Sequence, residues 1–260
     1  MLKVGAVKLI ADGSIQGYSG YLSQPYAVPP PGGKADYVGY PFVSREELTA
    51  RVKALHEAGH QIAIHGNGDA AIDNIIHAYR EAQQASPRAD ARHIIVHSQM
   101  AREDQLDAMK ELGIIPSFFS LHTYYWGDRH RDIFLGRERA YRISPAQSAH
   151  QRGLRFTIHT DTPVVPMDPL LLVWSAVNRI STGGDIIGAE QRITPLEALR
   201  AVTSDAAWQH FDENRTGSIE SGKLADLVIL AESPLRFPLH IRDIQVLETI
   251  VGGQTIYKNW

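Results

Sequence analysis

Short apolar runs alternate with longer amphipathic stretches along most of this chain. Residues 2–10 (LKVGAVKLI), bounded by Asp12 and Gly13, read as a buried strand. Further strands are predicted at 61–64, 93–96, 114–117 and 154–158. Between them lie predicted helices at 70–84, 103–112 and 145–151, and one that starts after Ser44 and runs through Leu48, Val52 and Leu55. Ser44 followed by Glu47 has the spacing of a capping box. Alternating strands and helices mean βα units on a parallel sheet, so the fold class is α/β. Five such units are counted where a (β/α)₈ barrel needs eight. After Asp168 the rhythm changes to helices at 170–179 and 195–210, then to a tail of strands with a hairpin at Gly252-Gly253. The expected division is 1–210 for the βα part and 211–260 for a small β-domain.

Within this pattern, residues 56–60 read H-E-A-G-H, the pattern of a zinc protease. Such a helix must continue past its second histidine so that both ligands share one face. Here the helix meets Gly59, which ends helices in the left-handed conformation, and apolar strand residues follow. His56 and His60 are therefore expected to straddle a helix end and point apart, and the zinc-protease reading is a distant alternative.

The polar residues at strand ends form a different set. His65 follows a buried strand, His97 ends HIIVH, and His159 and Asp161 end RFTIHTD. Lys8 lies in the first strand, while Asp12 and His122 sit slightly further into their loops. In parallel α/β barrels, functional side chains come from the C-terminal ends of strands. Each residue alone is a polar group at a strand terminus; their repetition suggests hard ligands for one or two divalent metals. The aromatic segment 118–132, FFSLHTYYWGDRHRD, is expected to be a long loop. Its Tyr124, Tyr125 and Trp126 either line a substrate pocket or pack on the rim. His122, Trp126 and His159 are the candidates for substrate contact. His77, His130, His150, His210 and His240 are read as ordinary.

Composition narrows the choices. With 260 residues, 43% of them hydrophobic, the chain can bury one large domain, or one domain plus an appendage. A net charge of -3 gives no reason to expect nucleic acid or an anionic membrane. No apolar run is long enough to span a bilayer, and no basic-then-apolar leader opens the chain. With no cysteine, any metal must be held by histidine and carboxylate, and a cytoplasmic location is expected.

The segments VKLIADGS, IHGNGD, VHSQ and HTDTPV, in this order, resemble later strands of the amidohydrolase superfamily. The tail GSIESGKLADLVIL is similar to that superfamily's C-terminal signature. The resemblance is to the branch that includes N-substituted formamide deformylase and exoenzyme regulators. It implies a partial TIM-type (β/α) barrel, about strands four to eight, plus C-terminal strands of a small β-sandwich domain. It further implies metal ligands at Lys8, His65, His97 and Asp161, with Lys8 able to carry CO₂ as a bridging carbamate and Asp161 also the catalytic proton shuttle. The implied cofactor is a divalent metal, zinc above all, and the implied activity is hydrolysis of amide-type carbon–nitrogen bonds in small molecules. Amidohydrolases of this kind carry an H-x-H pair, but none of the twelve histidines here lies two residues from another. The chain is therefore expected to be the C-terminal part of a longer enzyme. An inactive binding or regulatory module is the alternative. Strand edges left open by missing strands are expected to drive homo-oligomerisation.

Overall fold

A computed structural model describes residues 4–259. Five short strands form one parallel sheet: β1 (Val7–Ile10), β2 (Ile62–Gly66), β3 (Ile94–His97), β4 (Ile115–Phe118) and β5 (Thr157–Ile158). They are neighbours in sequence order, and every pairing is parallel. The α/β expectation is met. Among the described residues β1 pairs only with β2 and β5 only with β4, so the sheet is open.

The connecting helices are α1 (Arg45–Glu57), α2 (Asp69–Ala85), α3 (Glu103–Leu112), α4 (Leu121–Arg129), α5 (Gly136–Tyr141) and α6 (Ala146–Gln151). Ile62 and Ile64 of β2, Ile95 of β3, Ile72 and Ile75 of α2, and Leu106 and Met109 of α3 share one core. Ala63, Ile94 and Ile115 form a second cluster. Both strand faces are thus covered in mid-sheet, which is why β2 to β4 read as continuous apolar runs.

Several boundaries depart from expectation. The first strand is only 7–10, and residues 1–3 lie outside the described part. Ser44 does cap α1, accepting the Glu47 N–H at 3.1 Å. The Glu47 carboxylate, however, accepts from Arg51 one turn on and does not close the reciprocal half of the box. Segment 118–132 is not a loop: α4 runs on into a π-helical turn at His130–Phe134. Its aromatic and glycine content carries weak helix propensity, and packing supplies what propensity lacks. Leu121 and Gly127 are buried, and a Cβ on Gly127 would press on Ile187.

Beyond β5, α7 (Pro169–Asn178) is capped by Asp168, whose carboxylate accepts the Leu171 N–H at 2.9 Å. The helix expected over 195–210 divides into α8 (Pro195–Val202) and α9 (Ser204–Gln209), because Thr203 adopts φ -124, ψ -92. The tail forms a separate antiparallel sheet of β6 (Leu227–Leu230), β7 (Val246–Val251) and β8 (Gln254–Lys258). Gly252 and Gly253 turn between β7 and β8 with φ of 59° and 80°, which suits a two-residue hairpin. Trp174 Nε1–H donates to the Leu239 carbonyl at 2.8 Å, tying the tail to α7.

Candidate active site

The parallel register decides what meets at the C-terminal end of the sheet. Gly66, His97, Phe118 and Ile158 stand level across β2 to β5, with His65 one residue earlier on β2. His65 is thus the penultimate residue of its strand, rather than the one after it. Strand alternation alone would put His65 with Ala63 on one face and His97 with Ile95 on the other. The left-handed backbone of His97 (φ 73) and Ser98 (φ 45) breaks that alternation at the strand end. The two rings then meet edge to face, with centroids 4.4 Å apart. Non-glycine residues in this region cost about 1–2 kcal/mol each, and such strain gathers at functional sites. Asp161 shares it, with φ 55.

His65 Nδ1 and His97 Nε2 face each other at 3.1 Å. Two nitrogens that are each about 2.0–2.1 Å from one tetrahedral zinc lie roughly 3.3 Å apart. The pair therefore fits two neighbouring positions around one ion. On its far side, His65 Nε2 lies 3.0 Å from the Gly13 carbonyl, which only accepts; the proton belongs on Nε2, and Nδ1 keeps its lone pair. His97 Nδ1 is buried without a partner.

The other expected residues gather round this pair. His159 and His122 approach His97 with centroid separations of 5.1 Å and 5.9 Å. His122 lies 5.8 Å from Trp126, and Phe119 stacks on His159 at 5.5 Å. Trp126 reaches the site from a helix and not from the expected loop. Lys8 and Asp161 lie close enough to act on each other's charge and on that of His65. Lys8 sits on an edge strand and is exposed as a residue, yet the protein around its amino group lowers its pKa, partly offset by Asp161. Burial holds His97 and His122 well below the ordinary imidazole range, and neighbouring histidines push the same way. Burial and the Lys8 charge bring His159 to about 3. Neutral imidazole is the form that binds metal. No three His, Asp or Glu side chains converge on a single metal position among the described residues.

Three neighbours matter that the strand-end pattern did not select as ligands or substrate contacts. Asp12 is fully buried; burial pushes its carboxyl up to about 7 against backbone N–H bonds from Asn67, Gly68 and Tyr21. Gly68 has to be glycine, because a Cβ there would collide with the Tyr21 carbonyl. His130, read as ordinary, is fully buried beside His122 and 3.3 Å from Gln99 Nε2. Only the Asp-Gly after β1 signalled any of this in the sequence.

The H-E-A-G-H residues are elsewhere. The α1 helix ends at Glu57, Gly59 takes φ 84, and His60 is exposed. His56 is buried and bonded to His93, so the pair is not a metal site.

Residues 1–257 match the sequence model of the amidohydrolase family. The chain is similar to N-substituted formamide deformylase of Arthrobacter pascens, at 30% identity over 85% of this chain and 41% of that protein. It is also similar to the structure of an uncharacterized metal-dependent hydrolase from Pyrococcus furiosus, with TM-score 0.75 and 27% identity over 90% of this chain and 45% of that one. A second such hydrolase, from Pyrococcus horikoshii, gives TM-score 0.77 and 26% identity over 91% and 46%. The chain spans less than half the length of each of these proteins. Sequence and fold agree: this chain belongs to the amidohydrolase family.

Proposed function

We propose that this chain carries part of the active site of a metal-dependent hydrolase that cleaves amide-type carbon–nitrogen bonds of small molecules. One observation carries the reading: two neutral histidines on adjacent strand ends face each other with ligand nitrogens 3.1 Å apart. His65 through Nδ1 and His97 through Nε2 would hold a divalent ion, with zinc suited to imidazole and carboxylate donors. Lys8 and Asp161 are the candidates for completing its shell from this chain. A bound ion would lower the pKa of water and polarise the substrate carbonyl.

The chain's own residues would do the rest. Asp161 accepts the proton of the attacking water and returns it to the leaving nitrogen. Lys8, with its amine biased toward the neutral form, is suited to the carbamate that the family resemblance implies. His122, His159 and Trp126 form the wall against which an uncharged substrate group packs. The five-stranded sheet is read as strands four to eight of a barrel, with residues 211–260 contributing to a small β-domain.

Release of amine from a panel of N-substituted amides by an active amidohydrolase carrying this chain, measured with and without added zinc, tests the reading. Turnover should require the ion and should vanish in Asp161→Asn. Turnover that is indifferent to a chelator, or kept by Asp161→Asn, would refute it.

The open edges of β1 and β5 make self-association the expected solution state. Ile10 is half exposed on the free edge strand. Light scattering at high concentration should report a mass above 28.8 kDa, and a monodisperse monomer would contradict this.

A further inference from the structure

Asp12 is two residues past β1, and its side chain has no exposed surface. A buried carboxylate is costly unless its oxygens are bonded, and here they are. Oδ2 accepts the N–H groups of Tyr21 at 2.9 Å and Gly68 at 2.8 Å. Oδ1 accepts the N–H of Asn67 at 2.9 Å and stands 3.6 Å from His65 Nε2. These donors belong to two different connections, one after β1 and one after β2. A single side chain therefore clamps the two loops that flank His65.

The clamp has a consequence one residue further on. The Gly13 carbonyl is brought to 3.0 Å from His65 Nε2 and 2.9 Å from Asn67 Nδ2. Asn67 Nδ2 and His65 Nε2 are themselves 3.0 Å apart, and each also reaches the Gly13 oxygen, which can accept from both the amide and the imidazole. A carbonyl oxygen holds the imidazole proton on Nε2, and a carboxylate at 3.6 Å favours that placement electrostatically. The lone pair on Nδ1 is then left facing His97.

We propose that Asp12 is a positioning residue. It is not a metal ligand; it selects the Nε2–H tautomer of His65 and aims Nδ1 at His97 by holding the Gly13 carbonyl and the Asn67–Gly68 turn in place. The proposal rests on the reading of His65 and His97 as a metal-binding pair. Supports of this kind set ring orientation and affinity in histidine metal sites, and losing one typically costs about 10–100-fold. An asparagine at position 12 cannot replace the carboxylate. It offers one acceptor oxygen in place of two, and its amide hydrogens would meet a backbone N–H.

Ring nitrogen shifts of the whole chain labelled with ¹⁵N-histidine, recorded without metal near pH 8, test the tautomer directly. Wild-type His65 should show protonated Nε2 and bare Nδ1. In Asp12→Asn the His65 signals should move toward a tautomer mixture, while zinc affinity falls about 10–100-fold. A wild-type proton on Nδ1, or an Asp12→Asn chain with unchanged His65 shifts and zinc affinity, would overturn the proposal. Should Asp12→Asn not fold, Asn67→Ala serves, since it spares the backbone N–H to Asp12. It should keep the Nε2–H tautomer, and a switch to Nδ1–H would move control from Asp12 to Asn67. The expected wild-type tautomer without any zinc binding would leave the role of Asp12 standing and refute the metal reading instead.

Discussion

Two histidine pairs lie at opposite ends of the same strand. His93 immediately precedes β3, and His97 ends it. At the first end every nitrogen is used: His93 Nδ1 accepts the Ile62 N–H at 3.1 Å, and His93 Nε2 and His56 Nδ1 lie 2.8 Å apart. His56 Nε2 completes the chain by donating to the Ser86 carbonyl at 2.7 Å. Tyr79 stacks on His93 at 4.7 Å. At the second end the facing nitrogens are 3.1 Å apart, the backbone is strained, and His97 Nδ1 has no partner. One pair is satisfied and holds the fold, while the other keeps bonding capacity in reserve. Burial does not separate them, since His56, His93 and His97 are all almost inaccessible. Bonding does.

The widest gap between the two ends should appear in turnover. In an active amidohydrolase carrying this chain, His65→Ala or His97→Ala should lower amide hydrolysis by at least about 100-fold, because each removes a ligand. His56→Ala should leave the rate per folded molecule within a few-fold. Steady-state kinetics on the soluble fraction decides it, and equal losses would erase the distinction.

Stability should rank the pairs the other way. His56→Ala strips His93 of its partner inside the core and should cost about 3 kcal/mol by denaturant unfolding. A cost below about 1 kcal/mol would mean that the bonded chain through His56 contributes little.

In pH the two ends behave alike, since burial lowers the pKa of both His93 and His97. Burial, His56 and Arg88 bring His93 down to about 3, below the value of a histidine in the unfolded chain. Below about 6.5 the unfolded chain takes up a proton that folded His93 refuses, so stability is lost as pH falls toward 3. The slope is at most about 1.4 kcal/mol per pH unit from this residue. Unfolding measured at intervals from pH 7 to 4 should show the loss, to which the other buried histidines add, and His93→Gln should reduce its slope by up to about 1.4 kcal/mol per pH unit.

The smallest effect belongs to Glu57, the base of the apparent protease motif. It is exposed at the end of α1, so Glu57→Gln should change stability by less than about 0.5 kcal/mol and leave turnover unaltered. Loss of activity with the fold intact would revive the protease reading.

How far the sequence could be read depends on whether the relevant physics is local. Gly59 gave away the end of α1, and apolar runs of strand length gave the order of the sheet. Strand-end position alone picks out His65, His97, His159 and Asp161. The α4 helix could not be read from LHTYYWGDR, because its stability comes from packing of Leu121 and Gly127 and not from propensity. Asp12 was visible as an Asp-Gly after a strand, but its bonds reach Asn67 and Gly68 more than fifty residues away. The role of His56 was hidden for the same reason, since its partner His93 lies 37 residues on. Linear patterns show which residues stand at a strand end; they do not show which of them are already satisfied.

The central claim is that the C-terminal end of β3 binds metal and the N-terminal end does not. Calorimetric titration of the metal-free chain with zinc at pH 7.5, alongside His65→Ala/His97→Ala and His56→Ala/His60→Ala variants, tests it most directly. The account predicts one weakly held ion per wild-type chain, lost in the first variant and kept in the second. Two tightly held ions, or binding that survives without His65 and His97 and disappears without His56 and His60, would contradict it.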